Sequence, residues 1–521
     1  MSDYIFGANI LENLTTGMYQ DSKVIYREYI QNACDQIDKA VKEGLLRHGE
    51  GTIKIWLDRD QRTIVIEDNA TGIPASSFQH TLGNIADSDK KVGEDKGFRG
   101  IGRLCGLAYC RELVFTSSAK GEDTVSIMVC DAKKMRSLID ESTRGKKHTA
   151  TKVLHAINRF DQKKTNDIDS HFFRVELNDI NHENTDLLDF QQIKDYLSFV
   201  APVPYQSSFY YRTDVYKHAQ ELGVKIDEYS ITLNGEPIFK KYTTILKDSS
   251  TGNKYDDIFG VHFKDFYING ELSAWMWVGI SRFQKAIPKI NQMRGLRLRK
   301  ENIQIGGEDA LQKLFKEDRG NSYFIGEIFA VNKELIPNSQ RDYFNENPAR
   351  ADFERELRRY FNEELHKIYY NGSTINSSYK KIDTYEKLEA EFKEKDIAGI
   401  FVDSAHRVRE LEAVLESKKE AENARDKIDK MKDRADGLMQ KVIQRIELER
   451  PKREITEEPP AKSPKDDKEL EVPRMPRRAD RLSQYSKAER KLISKIFSII
   501  TTATDNETAE MIITRIEEGL Q

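Results

Sequence analysis

No run of apolar residues approaches the roughly twenty needed to cross a bilayer, and the opening stretch MSDYIFGANI lacks the basic and apolar regions of a signal peptide. A cytoplasmic protein that does not engage a membrane is expected. Cysteine is scarce: Cys34, Cys105, Cys110 and Cys130 show no CxxC pairing and no histidine at zinc-ligand spacing, which argues against metal or redox roles and for ordinary buried thiols. Neither sign of charge is in excess. Lys and Arg number 83 against 87 Asp and Glu, a net charge of -4, so there is no global polycation to attract nucleic acid and any DNA contact must come from a local patch. Charge itself is abundant, at 33% of residues, and 521 residues exceed what one hydrophobic core supports. About three folding units are expected.

Residues 1–205 alternate helical patterns with β-rich runs such as GTIKIWL, RTIVIED and ELVFTSS, an α+β pattern with its glycines gathered between Gly93 and Gly106. Residues 206–370 resume α+β character with EYSITLNGEPIF, ELSAWMWVGI and GLRLRKENIQI, then an amphipathic helix through ADFERELRRYFNEELHKIYY. Residues 371–450 read as helical. Within them Ala421, Ala424, Ile428, Met431, Ala435, Leu438 and Val442 alternate spacings of three and four, interrupted by Gly437. That seam leaves open a hairpin within one chain or a coiled coil between two. Residues 451–482 are Pro-rich and charged, with too little apolar area to offset chain entropy, and are expected to be a disordered linker. Residues 483–521 regain helical periodicity, with Leu492, Ile493, Ile496, Ile499 and Ile500 on one stripe. So small a helical module requires a surface to bury against, its own or a protein partner's.

Three segments carry candidate chemistry. In YREYIQNACDQIDKA, Glu28, Asn32 and Asp35 fall within an arc of about 60° on a helix, with Lys39 further along. By itself this is either a site or a solvated face. The run TIVIED then delivers Asp68 at a strand end, next to the turn holding Gly72, where a carboxylate can accept a hydrogen bond from an exocyclic amine. Downstream, GEDKGFRGIGRLCG gathers Gly97, Gly100 and Gly102 with Lys96, Arg99 and Arg103. Such glycines expose backbone N–H groups to phosphate oxygens. The segment is neither a P-loop nor a dinucleotide fingerprint.

Taken in order, ExxxNxxD on a helix, D-x-x-x-G after a strand, a Gly-rich lid and Thr151 in ATKV resemble the nucleotide pocket of the GHKL superfamily. The likeness is strongest to the ninety-kilodalton heat-shock chaperones and the Microrchidia-type ATPases, through MYQDSKVIYREYIQNACDQIDKA, TLGNIADS and ELVFTSS. It implies a Bergerat-type α/β sandwich that binds ATP and magnesium. It assigns Glu28 as general base, Asn32 as magnesium ligand and Asp68 as acceptor for the adenine amine. Asp35 and Lys39 support the pocket, Gly72 shapes the adenine turn, and Lys96, Gly97, Gly100 and Gly102 line the phosphates. Thr151 reaches the base indirectly. The sequence departs from the family's D-x-G-x-G at Ala70, where a methyl group is tolerable only without a left-handed backbone.

The same resemblance makes 206–370 a transducer, in which ELIPNSQRDYF is similar to the chaperones' loop that supplies an arginine. Arg341 then either reaches the terminal phosphate or pairs with Asp342 or a neighbouring helix. In GLRLRK, Leu296 and Leu298 alternate with Arg297 and Arg299, just after Arg282, Lys285, Lys289 and Arg294. That strand leaves open a DNA backbone contact, a solvated sheet face or an acidic partner. Two functions follow from the resemblance. One is a magnesium-dependent ATPase whose N-terminal domains dimerise in a clamp cycle on a protein or DNA client. The other is a weakly hydrolysing regulatory scaffold in a bacterial defence system of the antiviral kind.

Overall fold

The computed structural model describes residues 5–15, 17, 21–85, 102–248, 251–450, 493, 496–497, 500 and 506–519. The chain divides into two units, Met1–Ser281 with Ala286–His366 and Arg282–Lys285 with Lys367–Gln521. The fold is mixed α+β, as the sequence patterns lead one to expect. In the first unit lies an eight-stranded sheet made of β1 (Thr52–Asp58), β2 (Thr63–Asp68), β3 (Cys110–Ser118), β4 (Thr124–Asp131), β5 (Asn158–Lys164), β6 (Phe172–Ile180), β7 (Ser230–Leu233) and β8 (Glu236–Pro237). Its order is β5-β4-β3-β6-β2-β1-β7-β8. The sheet therefore continues past residue 205, because β7 returns to pair in parallel with β1. Helices α1 (Asn9–Thr15), α2 (Val24–Lys42), α3 (Ala75–Gly83), α4 (Ala132–Thr143), α5 (Ala150–Ile157) and α6 (Phe190–Val200) share one apolar core with it. Alternation decides which side chains face that core: β1 buries Ile53, Ile55 and Leu57 while Lys54 and Trp56 stay exposed, and β2 buries Ile64, Ile66 and Asp68. Period two thus turns the strand-end carboxylate inward, beside the isoleucines.

After α7 (Arg212–Glu221) and the ribbon of β9 (Ile245–Lys247) and β10 (Lys254–Asp257) comes a second sheet, of β11 (Gly260–Ile268), β12 (Glu271–Ile280), β13 (Gly295–Lys300), β14 (Ile303–Ile305) and β15 (Ile325–Ala330), ordered β11-β12-β15-β13-β14. Helix α8 (Pro348–Tyr360) starts as the sequence directs, with Asn347 accepting from the Arg350 amide and Pro348 at the first position.

The second unit is helical. Helix α9 (His366–Ala398), α10 (Ser404–Asp433) and α11 (Gly437–Glu449) bury Ile375, Tyr379 and Ile382, then Ala421, Ala424 and Ile428, then Val442, Ile443 and Ile446. Most of the alternating seam is thus buried within this chain. Gly437 opens α11 behind the Asp436 cap, and so marks a turn between helices. Ion pairs Lys395–Glu410 at 2.9 Å and Lys381–Glu420 at 3.1 Å fix the antiparallel register of α9 and α10. From the C-terminal stripe, Ile493 and Phe497 join Ile513 of α12 (Asn506–Gly519) in a cluster with Ile400, while Ile496 is 40% exposed. The expected linker 451–482 lies outside the described residues.

The strand GLRLRK departs from its expected two-faced character: every residue of β13 is buried. Arg299 is fully buried, with its guanidinium on the carboxylate of Glu327, and Arg297 lies over the Phe199 ring with its carbon 4.4 Å from the centroid. Flanked by β15 and β14 and covered on both faces, the strand cannot present these arginines to a DNA backbone. Glu327 instead collects donors from Lys240 at 2.9 Å, Tyr242 at 3.1 Å, Arg299 and Tyr205. Burial pushes this carboxyl up, but Arg299 and Lys240 outweigh it and hold it down at about 2. Removing the anion would strand two buried cations, so Glu327→Ala should cost roughly 3–5 kcal/mol. An earlier urea transition measures this, and an unchanged midpoint would show that the cluster is not held together by its charges.

Candidate functional site

Helix α2 lies against the first sheet with Glu28, Asn32 and Asp35 on one side, as their spacing requires. Glu28 is 8% exposed, Asp35 is buried and Asn32 half-buried. Lys39 is not part of this cluster: it is exposed, with its ammonium 3.9 Å from Glu43 one turn on. Near the end of the helix the side chain has outrun the cover that the sheet gives the earlier turns.

Asp68 ends β2 between Ile53 of β1 and Phe173 of β6. Its Oδ1 accepts the Ala70 N–H at 3.0 Å. Burial pushes the carboxyl up to about 7, against the Ala70 hydrogen bond, which favours the carboxylate, with Glu67 adding to the rise. The following turn admits only glycine at position 72. Its φ is +65°, and a Cβ there would lie 1.9 Å from the Ser118 carbonyl oxygen. Ala70 is not among the residues with a left-handed backbone, so its methyl group is accommodated, fully buried. The turn is pinned from β3 and β6: Ser117 Oγ accepts the Ile73 N–H and donates to the Phe172 carbonyl, both at 2.8 Å, and His171 Nδ1 donates to the Ala70 carbonyl at 2.6 Å. Ser117 lies within the ELVFTSS run, but neither its contact with the turn nor that of His171 is legible in the sequence, because each reaches the turn through strand register.

Thr151 is not brought to this turn. It is exposed in the first turn of α5, ahead of edge strand β5, and β4, β3 and β6 separate β5 from β2. At about 4.8 Å per strand that is roughly 19 Å across the sheet. The strand beside Asp68 is β6, so the residues at its entry, His171 and Phe172, occupy the place that the ATKV motif suggested for Thr151.

Of the glycine-rich segment, Lys96, Gly97 and Gly100 lie outside the described residues. Gly102 begins a short 3-10 turn, Gly102–Ala108, where a Cβ would sit 2.5 Å from Glu28 Oε2. A side chain at this position would have to displace the Glu28 carboxylate. From the far end of the unit, the loop between Pro337 and Phe344 reaches the same group. It is closed by an isolated bridge and by the Asn338 N–H donating to the Tyr343 carbonyl at 2.9 Å. At its tip Arg341 adopts φ +54° and places Nε 3.4 Å from Glu28 Oε1. Arg27 has its own Nε 3.9 Å from that oxygen and donates to the Gln340 carbonyl at 3.0 Å. Glu28 is thus enclosed by two guanidinium groups and a glycine. Arg27 escaped the sequence reading, since its value lies in a contact 313 positions away.

Two comparisons bear on this arrangement. Residues 21–165 match the family model described as "Histidine kinase-, DNA gyrase B-, and HSP90-like ATPase". Among curated proteins, the chaperone protein HtpG of Alkalilimnicola ehrlichii is 33% identical over 93 residues, covering 17% of this chain and 14% of that one. HtpG of Coxiella burnetii is 33% identical over 89 residues, with shares of 16% and 14%. HtpG of Halalkalibacterium halodurans is 26% identical over 131 residues, with shares of 22% and 21%. The chain spans only about a seventh to a fifth of the length of these relatives. Among the described residues, no helix is long and apolar enough to cross a membrane.

The raised carboxyl of Asp68 has a measurable consequence. Between about pH 4 and pH 7 the native state keeps a proton that the unfolded chain has lost, so stability falls across that window as pH rises. Asp68→Asn removes the titration. It should flatten that part of the pH–stability curve and, at pH 8, raise stability by up to roughly 4 kcal/mol. Urea unfolding at pH 5 and pH 8 tests this, and a variant less stable than its parent at both values would contradict it.

Proposed function

We propose that this chain, whose residues 21–165 are an ATPase domain of the GHKL superfamily of the HSP90-like kind, binds ATP with magnesium and hydrolyses it in a conformational clamp cycle. The observation that carries the reading is the convergence of Gly102 and Arg341, from two distant parts of the sequence, on the buried carboxylate of Glu28. In this reading Asp68 accepts the adenine amino group and Gly72 lets the base approach the backbone. Glu28 orients the attacking water and takes its proton. Gly102 faces the phosphates. Asp35 braces the helix face from below.

Asn32 fits a magnesium site of the kind that borrows most of its ligands from phosphates and water. Its half-buried amide makes no hydrogen bond among the described residues, so its oxygen stays available as a hard ligand. The metal would neutralise phosphate charge. Arg341 supplies a permanent, planar positive charge for the terminal phosphate. Its Nε lies 3.4 Å from Glu28, so a triphosphate would compete with the base for the guanidinium. That pairing also favours slow basal turnover, which keeps the regulatory-scaffold reading alongside the clamp.

Closure of two ATP-bound N-terminal domains onto each other completes the proposed cycle. A protein client is preferred over DNA, because the basic strand β13 is buried. Glu28→Ala should retain ATP binding and lose turnover, while Arg341→Ala should lower kcat on the order of 10²-fold at similar affinity. Asp68→Asn should abolish binding in calorimetry while remaining folded. Unchanged turnover in Glu28→Ala would reject the general-base role. Steady-state turnover with and without double-stranded DNA decides the client class: a salt-sensitive rise would restore DNA, and no response supports protein.

A further inference from the structure

A cavity of about 600 Å³ opens in the first unit between the start of α2, helix α6 and the β13–β14 side of the second sheet. It is of the size that takes a small metabolite. Asn32, Asp68 and Gly72 do not line it. Arg27 and Arg297 do, from opposite walls, and both are more than nine-tenths buried, at 9% and 5% exposed. In each the Nε has no hydrogen-bond partner among the described residues. Arg27 Nη2 donates to the Gln340 carbonyl, and Arg297 Nη1 and Nη2 donate to the Gln304 side-chain oxygen and the Gln292 carbonyl. A buried guanidinium keeps its charge, so an unmatched N–H on it is costly unless an acceptor is supplied.

The acid nearest Arg27, Glu28, stands 3.9 Å from its Nε, beyond hydrogen-bond reach, and the acids lining the cavity do not supply the acceptor either. Asp21 lies 3.4 Å from Lys23, Asp195 is taken by Lys241 and Gln292, and Asp342 accepts from Asn338. Glu308 stands 3.8 Å from Arg294 and 3.9 Å from Arg297, beyond hydrogen-bond reach of either. We propose that this cavity binds a small organic anion, bearing phosphate or carboxylate groups, clamped between Arg27 and Arg297. Because Arg27 also holds the Gln340 carbonyl, next to Arg341, such a ligand strengthens the docking of the arginine loop on α2. It is an effector site that adjoins the proposed nucleotide site at Arg27 but is not lined by Asn32, Asp68 or Gly72.

Calorimetric titration of the full chain with inorganic pyrophosphate, and separately with citrate, tests the site. Both titrations are run with and without a saturating non-hydrolysable ATP analogue. At least one probe should bind with a Kd of about 1 mM or tighter, and still do so with the analogue present. Arg297→Gln should weaken binding about tenfold or more. Gln192→Glu places a negative charge at the exposed rim and should do the same, without touching a buried group. Binding of pyrophosphate alone assigns a phosphate ligand, and of citrate alone a carboxylate. Failure of both probes to bind, displacement by the analogue, or parental affinity in Gln192→Glu would overturn the proposal. No turnover is read, so the result stands apart from the hydrolysis mechanism.

Discussion

The ion pair between Arg341 and Glu28 is the contact on which the first unit's arrangement turns. A carboxylate at 8% exposure is expensive to hold unless something compensates it, and here compensation comes from the far end of the unit's sequence. To deliver it, the loop from Pro337 to Phe344 puts a non-glycine residue into a left-handed backbone, which costs of order 1 kcal/mol or more. Arg27 returns the contact by holding the carbonyl before Arg341. The helix that carries the polar face and the loop that answers it are therefore fixed against each other by charge, and any ligand that draws Arg341 away changes both at once.

Asp68 is the complementary case. It too is buried, but its local compensation is a single backbone hydrogen bond, so burial dominates and the carboxyl rises to about 7. One site thus contains two carboxylates in opposite circumstances: one enclosed by guanidinium groups, the other held near its neutral form at the bottom of a turn that only glycine can complete. A buried carboxyl perturbed as Asp68 is marks a candidate ligand site, where a bound partner can offset the cost of burial. The second sheet solves the same problem internally. Its Glu327 takes donors from Lys240, Arg299, Tyr205 and Tyr242, so these charges serve the core.

Much of this was legible in the sequence because it depends on local periodicity. The 3.6-residue repeat put Glu28, Asn32 and Asp35 on one face of α2, and the two-residue repeat turned Asp68 inward with Ile64 and Ile66. Alternating apolar spacing marked the helices of the second unit. Other readings stopped where local pattern does. Thr151 sits in a motif of the right composition but at the wrong edge of the sheet, and the alternation in GLRLRK describes two faces without saying that both are covered. Lys39 shares the polar arc of α2 but not its cover.

By itself, then, the sequence determined the elements, the orientation of side chains along each of them, and the order of motifs that points to a GHKL pocket. Only the tertiary structure decided which strand lies beside Asp68, that β7 extends the first sheet, and that Arg27 and Arg341 converge on Glu28. The physical reason is range. Helix and strand periods are set by backbone geometry within a few residues, whereas strand order, burial of a basic strand and the meeting of charges 313 positions apart are set by how separate elements pack.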